Sequence, residues 1–158
     1  LENIVESSGF ELNKVIDEPE AAANVLKIKE GAVVDLGGGT TGISIVRDGK
    51  VISSMDEPTG GRHMSLTLAG YYKIDLEEAE EIKKSGRDEI FYVVKPILEK
   101  MAYIVKNSIE GYGVENIYVV GGASSFEGIE DIFEKITGIK TLRVENALYV
   151  TPYGIAIS

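Results

Sequence analysis

The chain has 158 residues, with 26 acidic against 16 basic side chains, a formal net charge of −10 and a pI near 4.6. This acidity argues against nucleic acid as a main partner, because phosphate backbones bind surfaces rich in Lys and Arg. The sequence has no cysteine, which excludes disulfide bonds and thiolate metal sites, and it has no run of 18 apolar residues that would predict a membrane-spanning helix.

The first 28 residues have the pattern of a short helix, a strand and a second helix. Apolar residues at helical spacing predict a helix over residues 1–8, with Gly9 as its C-terminal cap. Four apolar side chains predict a strand over residues 10–17, and Pro19 suits the first position of an alanine-rich helix that runs to residue 26. Because the sequence opens on Leu1 instead of Met, within a helical pattern, we expect a fragment of a longer protein.

Two short apolar strands joined by three consecutive glycines form the most informative pattern in the chain. Residues 33–36 and 43–46 are rich in Val, Leu and Ile, and Gly37, Gly38 and Gly39 lie between them. Glycine has no β-carbon, so the N–H groups of such a turn can point inward and a ligand can approach the backbone closely. A concave row of N–H groups suits phosphates. The hairpin is therefore either a phosphate-binding loop or a plain turn.

Polar side chains flank this loop. Asp35 is expected to point toward its mouth, where a carboxylate can hold the water shell of a magnesium ion or orient a water molecule. Thr40 and Thr41 add hydroxyl groups. The loop is not a Walker motif, because no Lys-Ser or Lys-Thr pair follows the glycines and the next segment alternates like a strand.

Beyond the loop the chain completes a meander and then becomes helical. Asp48 and Gly49 favour a type I′ turn into a third strand at residues 51–55, which gives three antiparallel strands. Three helices are then predicted, at residues 64–70, at residues 76–85 with Asp75 as the N-cap, and at residues 89–109, where Pro96 indicates a kink or a later start.

The rest of the chain alternates strands and helices. Residues 116–120 predict a buried strand, which is followed directly by Gly121-Gly122 and a helix over residues 126–136. Backbone N–H groups and a helix dipole meet at such a turn, so it is a second candidate place for a ligand. The sequence then predicts a strand at residues 141–144, a loop at residues 146–154 and the start of a last helix at residues 155–158.

Two kinds of catalytic site are not supported by the sequence. His63 is the only histidine, which argues against a catalytic dyad or a histidine metal site and favours a role on the surface or at a helix start. No pair of carboxylates has the local context of a glycosidase, since most of the acidic residues follow a helix-surface pattern.

The glycine hairpin resembles the phosphate loop of actin-like ATPases and of heat-shock chaperones of the DnaK type. The segment from Asp56 through Pro58 to Gly61, followed by residues 63–66 and 68–70, looks like the ethanolamine-utilisation protein J (EutJ) family. This resemblance extends over essentially the whole chain and is most specific from Asp35 to Gly70.

The resemblance implies a site for ATP and Mg²⁺. Asp35 would be the catalytic and metal-binding carboxylate, and Glu18 would face the nucleotide from the crossing between two lobes. By the same resemblance, Glu80 would meet the ribose and Lys83 the adenine or ribose edge. The complete set of implied nucleotide-binding residues is Gly37, Gly38, Gly39, Thr40, Thr41, Glu80, Lys83, Gly121, Gly122, Ala123 and Ser124.

The fold class that follows is α/β, one lobe of the actin-like, ribonuclease-H-type ATPase fold, with a mixed sheet and an inserted helical subdomain. We expect residues 1–28 to be the remnant of a first lobe and the interlobe crossing. Residues 29–57 and 111–158 would form the core of the second lobe, and residues 58–110 the insert. Residues 1–28 are also expected to join two copies in a weak homodimer, because their apolar side chains lack cover.

The function that the resemblance implies is a nucleotide-binding, chaperone-like or assembly role in the cytoplasm. Its clients would be enzymes or shell proteins of a bacterial microcompartment for ethanolamine utilisation. ATPase activity is implied for the intact protein, and we expect this chain to be inactive because it contains only one of the two glycine hairpins that clamp phosphate. The alternatives are an actin-like scaffold or filament protein, similar to cell-division and pilus homologues, and a kinase of the same superfamily.

Overall fold

The computed structural model describes residues 2–16, 18–86 and 88–157. The helices are α1 (Glu2–Ser7), α2 (Glu18–Leu26), α3 (Gly61–Tyr72), α4 (Leu76–Lys84), α5 (Asp88–Ile109), α6 (Ile129–Thr137) and α7 (Val150–Ile157). The strands are β1 (Gly31–Leu36), β2 (Thr41–Arg47), β3 (Lys50–Glu57), β4 (Asn116–Val120) and β5 (Lys140–Arg143), and short 3₁₀ turns lie at Gly122–Ser125 and Ala147–Tyr149. None of the helices in these ranges is long and apolar enough to cross a membrane.

The five strands form one mixed sheet in the order β3-β2-β1-β4-β5. β1, β2 and β3 are antiparallel neighbours, whereas β4 runs parallel to both β1 and β5. The predicted meander is thus confirmed, and so is its type I′ turn, because Asp48 and Gly49 have φ values of 52° and 73°. The central strand β1 ends at the glycine loop. The loop therefore lies at the C-terminal end of β1, in the middle of the row of strands.

Both faces of the sheet are covered by helices. Val34 and Leu36 lie in the larger core with residues of α3, α5 and α6, while Val33 lies in a smaller core with residues of α2 and α7. Burying a side chain of this size contributes about 1.5–3 kcal/mol. Because successive side chains of a strand alternate between faces, Asp35 shares the face of Val33 and points toward α2 and α7.

The strand predicted over residues 10–17 is wrong. Residues 10–16 have neither helical nor strand structure, and residue 17 lies outside the described ranges. Phe10 is 71% exposed, and Val15 is exposed as well. A strand requires a neighbouring strand for its backbone hydrogen bonds, and none of the strands β1–β5 pairs with this segment.

Several helix boundaries also differ from the prediction. Helix α3 passes through Gly70 and ends where Lys73 adopts a left-handed conformation. Helix α6 begins at Ile129 because Gly128 has a φ of 78°, which interrupts a helix from residue 126. Helix α5 begins at Asp88, so the later start is not found and Pro96 lies inside the helix.

The largest helix error is at the C-terminal end. Residues 146–154 were predicted as a loop, but α7 already begins at Val150. Gly154 lies inside this helix, where a β-carbon would overlap the backbone of Ala21 in α2. The close approach of the two helices explains why a residue with poor helix propensity is accommodated here.

Candidate functional site

The start of α3 holds the carbonyl groups of the glycine loop. Gly61 N donates to Gly37 O at 2.9 Å, and Arg62 N donates to Gly38 O at 2.7 Å. These two donors belong to the first turn of α3, whose N–H groups have no partners within the helix. The loop and the helix therefore satisfy each other's unpaired backbone groups, and the loop is fixed by the residues that follow β3.

The N–H groups of the loop are left available. Gly37 N donates to Thr40 O at 3.0 Å, which closes the turn. Within the part of the chain that the structure describes, the N–H groups of Gly38, Gly39 and Thr40 donate no hydrogen bond. All three residues are exposed to solvent. A row of free N–H groups on a fixed backbone is able to bind an anion.

Gly60 permits the close packing between loop and helix. A β-carbon on Gly60 would lie 2.7 Å from Gly37 O, Gly39 C and Thr40 N, so no other residue fits there without moving the loop. Gly60 N donates to His63 Nδ1 at 3.2 Å, which confirms the predicted role of the single histidine at a helix start. Gly60 lies in the segment that carries the family resemblance, but its contact with the loop was not predicted from the sequence.

Asp35 lies beside the loop with a partner from the far end of the chain. Its Oδ2 accepts a hydrogen bond from Thr151 Oγ1 of α7 at 3.1 Å. Burial raises the pKa of Asp35, the Thr151 hydrogen bond opposes that shift, and the nearby charge of Asp56 adds to it. Gly121 packs so closely that a side chain there would overlap the Asp35 carboxylate, and its φ of 86° also favours glycine.

A second carboxylate, Asp56, shares the space over Gly42 with Asp35. Gly42 pairs with Asp35 on β1 and with Asp56 on β3. A β-carbon on Gly42 would lie 3.2 Å from Asp56 Oδ1 and 3.7 Å from Asp35 Cβ. Because Gly42 has no side chain, the two carboxylates face each other across it.

These residues line one cleft of about 620 Å³. Its lining is Glu18, Asp35, Gly37, Gly38, Thr40, Gly42, Ser54, Met55 and Asp56. The structure therefore brings Glu18, from the start of α2, to the same cleft as Asp35 and the loop. Thr41 is different, because it is fully buried and its hydroxyl donates to Thr59 O at 2.6 Å.

A second cleft of about 740 Å³ lies on the other side of the glycine loop, between Gly38, Gly39 and helix α4. Arg62, Glu80 and Lys83 are among its lining residues. Burial raises the pKa of Glu80, but the hydrogen bonds from Lys83 and Ser65 and the charges of the two neighbouring lysines outweigh it, and the net shift is downward.

Lys83 has no N–H group left for a ligand. Its ammonium donates to Glu80 Oε2 at 2.6 Å, to Ser65 Oγ at 2.9 Å and to Gly61 O at 3.2 Å. An ammonium group has three donors, so these protein contacts use all of them. The contact with an adenine or ribose that the resemblance implies for Lys83 would require one of these bonds to break.

The glycine pair after β4 lies near the loop, but no α-helix begins there. A 3₁₀ turn follows Gly121, and α6 starts only at Ile129, so the predicted coincidence of the glycine pair with a helix start is wrong. Ala123 lies 3.6 Å from the position that a β-carbon would take on Gly61. Ser124 is buried and its hydroxyl donates to Gly121 O at 2.7 Å.

Three further residues, in these clefts or in contact with Asp35, were not assigned a role from the sequence. Asp56 lies on β3 opposite Gly42. The type I′ turn alone does not predict this pairing, because an irregularity at Ile45/Val46 shifts the register of the two strands by one position. Arg62 lies two positions after Gly60, and Thr151 lies in a segment that was predicted as a loop.

Among the described residues no group of three or more His, Asp or Glu side chains could hold a metal by itself. A cation here would therefore need ligand and water oxygens in addition to the two carboxylates.

Comparison with known proteins matches residues 14–151 to the family model "Type IV pilus assembly protein PilM". The ethanolamine utilization protein EutJ of Salmonella typhimurium is 48% identical over 157 residues, which is 99% of this chain and 56% of the relative. The chain thus spans little more than half the length of the curated relatives it matches.

Solved structures agree with this match. The crystal structure of EutJ from Carboxydothermus hydrogenoformans superposes with a TM-score of 0.93 at 48% identity, covering 99% of this chain and 59% of that one. MreB5 of Spiroplasma citri bound to AMPPNP superposes with a TM-score of 0.81 at 21% identity, covering 99% and 62%. The second likeness concerns the fold alone, and the predicted mixed α/β lobe of the actin-like fold is confirmed.

Proposed function

This chain belongs to the family described by the PilM model and, within the actin-like ATPase superfamily, to the EutJ proteins, and we propose that it binds an adenine nucleotide with magnesium. The observation that carries the proposal is the glycine loop. Among the described residues, the N–H groups of Gly38, Gly39 and Thr40 donate no hydrogen bond, and the start of α3 holds their backbone in place. Gly38 and Thr40 line the same cleft as the Asp35 and Asp56 carboxylates.

The donor set fits a magnesium-bound phosphate group. Mg²⁺ keeps several of its waters and is usually bound by one or two carboxylates together with phosphate oxygens. Asp35 and Asp56 would supply the carboxylates, and the loop N–H groups would bind the phosphate oxygens. Magnesium, when bound, neutralises charge on the phosphates. Glu18, which lines the same cleft, would orient a water molecule.

The nucleoside is assigned to the cleft on the other side of the loop. Glu80 uses Oε2 for Lys83 and Ser65, which leaves Oε1 to accept from a ribose hydroxyl. Gly121, Gly122 and Ala123 would line the approach from the 3₁₀ turn. We also propose the division into a core of residues 29–57 and 111–158, an insert of residues 58–110 and a crossing segment of residues 1–28.

The cellular role that we propose is chaperone-like or assembly work for enzymes or shell proteins of an ethanolamine-utilising microcompartment, in the cytoplasm. Its support is the 48% identity to proteins named for ethanolamine utilization. ATPase activity belongs to this proposal only for the intact protein.

A second candidate function is that of an actin-like scaffold or filament protein. It is favoured by the match to a family model named for type IV pilus assembly. Sedimentation of the protein with and without Mg-ATP separates the two, since a filament protein pellets with nucleotide and a monomeric assembly factor does not. A kinase of the same superfamily is less well supported, because the insert of residues 58–110 is small for a substrate pocket.

Calorimetry with Mg-ATP tests the proposed site. Gly38→Val is the informative variant, because a β-carbon on Gly38 meets no protein atom within 4 Å, and we therefore expect the fold to be preserved. The added side chain would occupy the cleft and weaken binding. Gly70 offers the matched control, since a β-carbon on Gly70 is equally free of contacts and Gly70 lies near the opposite end of α3 from the loop. Equal affinities for wild type, Gly38→Val and Gly70→Val would reject the site.

A further inference from the structure

Gly61 is the point at which three candidate binding segments meet. Its N–H donates to Gly37 O at 2.9 Å, and its carbonyl accepts from Lys83 Nζ at 3.2 Å. A β-carbon on Gly61 would lie 3.5 Å from Lys83 Nζ and 3.6 Å from both Ala123 Cβ and Gly37 O. The glycine loop, helix α4 and the 3₁₀ turn are therefore packed around the first residue of α3.

Lys83 is the charged residue of this junction. Its side chain is only 13% exposed, and its three hydrogen bonds reach three different places: Glu80 on its own helix, Ser65 on α3 and the Gly61 carbonyl. A largely buried ammonium loses much of its hydration, so it is held by whichever partners the protein supplies. These bonds tie α4 to the residue that holds the glycine loop.

We propose that Lys83 is a positioning residue, which fixes the glycine loop through Gly61 and does not itself contact the nucleotide. Glu80 acts as the counter-charge that keeps Lys83 in this place. The effect of Lys83 on nucleotide affinity rests on the function proposed above, whereas its effect on the position of the glycine loop does not. A lysine that contacts the base or ribose directly, as the resemblance implies, would behave differently in both respects.

The chain contains a closely matched control. Lys84 is the next residue of α4 and lies 3.8 Å from Glu80 Oε1, but its side chain is 72% exposed. Lys84→Met removes the same charge from the same helix and from the same carboxylate partner. It leaves the bonds to Gly61 and Ser65 intact, so any difference from Lys83→Met reports on the junction.

The first test uses no ligand. NMR-detected amide exchange is measured for Gly61 and Arg62, whose N–H groups donate to the loop carbonyls. We expect exchange at these two amides to become at least about fivefold faster in Lys83→Met, which is the lower end of typical coupling between linked sites, and to be unchanged in Lys84→Met. Unchanged exchange in Lys83→Met, or equal changes in both variants, would overturn the proposal. Should Lys83→Met fail to fold, Ser65→Ala removes one of the three acceptors, and we expect faster exchange at the same two amides.

The second test compares Mg-ATP with adenosine in NMR titrations, which reach millimolar Kd values. A positioning role through the phosphate loop predicts that Lys83→Met raises the Kd of Mg-ATP at least about fivefold more than that of adenosine. Equal factors for the two ligands would mean a direct nucleoside contact and contradict the proposal. A wild type that binds neither ligand would refute the proposed function, and the exchange result would then decide the loop coupling alone.

Discussion

Thr151 donates a hydrogen bond to Asp35, with 3.1 Å between Oγ1 and Oδ2, and so joins α7 to the central strand across 116 positions of the sequence. Glu18, at the start of α2, lines the same cleft as Asp35, and α2 packs closely on α7 through Ala21 and Gly154. Helix α7 thus contacts the Asp35 carboxylate directly, and α2 contributes a side chain to the same cleft.

Removing the Thr151 hydroxyl should lower the stability of the protein. Thr151→Val keeps the shape of the side chain but leaves Asp35 Oδ2 without its donor, and a lost hydrogen bond of this kind costs about 1 kcal/mol of unfolding free energy. Urea denaturation of Thr151→Val and Thr151→Ser provides the measurement. Thr151→Ser retains the hydroxyl and should stay close to wild type; equal losses in both variants would mean that methyl packing and not the hydrogen bond matters.

The raised pKa of Asp35 predicts a specific pH dependence of stability. Because the folded carboxyl ionises less readily than the unfolded one, whose reference pKa is 3.8, the folded state binds more protons between the two pKa values. The Asp35 contribution therefore falls as pH rises from about the reference pKa through the folded one. Asp35→Asn should be more stable than wild type at neutral pH, and the difference should shrink toward pH 4. A difference that is constant with pH would contradict this assignment.

Asp56 should determine how strongly the protein prefers Mg-ATP over metal-free ATP. Without the cation, Asp35 and Asp56 repel the phosphates of ATP, so wild type should bind Mg-ATP much more tightly than ATP with EDTA. Asp56→Asn should reduce this ratio of Kd values by about ten- to hundredfold, the usual cost of losing a group near a metal.

Glu57→Gln is the control for that experiment. It removes one negative charge from the neighbouring position of β3, and successive side chains of a strand point to opposite faces. The Mg-ATP preference of Glu57→Gln should match that of wild type. Equal effects of the two substitutions would show that net charge, and not the position of Asp56, sets the preference.

The segment before α2 is expected to join two copies of the chain weakly. Phe10 is 71% exposed and Val15 is exposed too, and residues 10–16 pair with none of the strands in the described ranges. Light scattering over a concentration series should show a dimer population that Phe10→Lys reduces. Tyr92→Lys, at a side chain that is 80% exposed on α5, should have no such effect. A wild type that stays monomeric at high concentration would refute the association.

Local sequence signals predicted the parts of the fold that depend on neighbouring residues. The Asp48-Gly49 turn needs only the positive φ values that these two residues tolerate. Asp75 caps α4 by accepting from Glu78 N at 2.9 Å, as its position before the helix indicated. The glycine loop was also predicted from local sequence, since three consecutive residues without β-carbons between two short strands indicate a tight turn.

The errors concern features that depend on distant residues. Residues 10–16 have the composition of a strand but no partner strand among those described. α7 contains Gly154, whose helical conformation is supported by packing on Ala21, far away in sequence. The hydrogen bond from Lys83 to the carbonyl of Gly61, 22 positions earlier, was also not predicted, because no local pattern of α4 indicates that contact.

The most direct test of the account is an NMR titration of the chain with Mg-AMPPNP that follows the backbone amides of Gly38, Gly39 and Thr40. Their N–H groups are free within the described structure, so a bound phosphate should shift all three resonances strongly and slow their exchange with water. The amide of Gly37, which already donates to Thr40 O, should shift less. Unchanged resonances for the three free amides at saturating nucleotide would contradict the account.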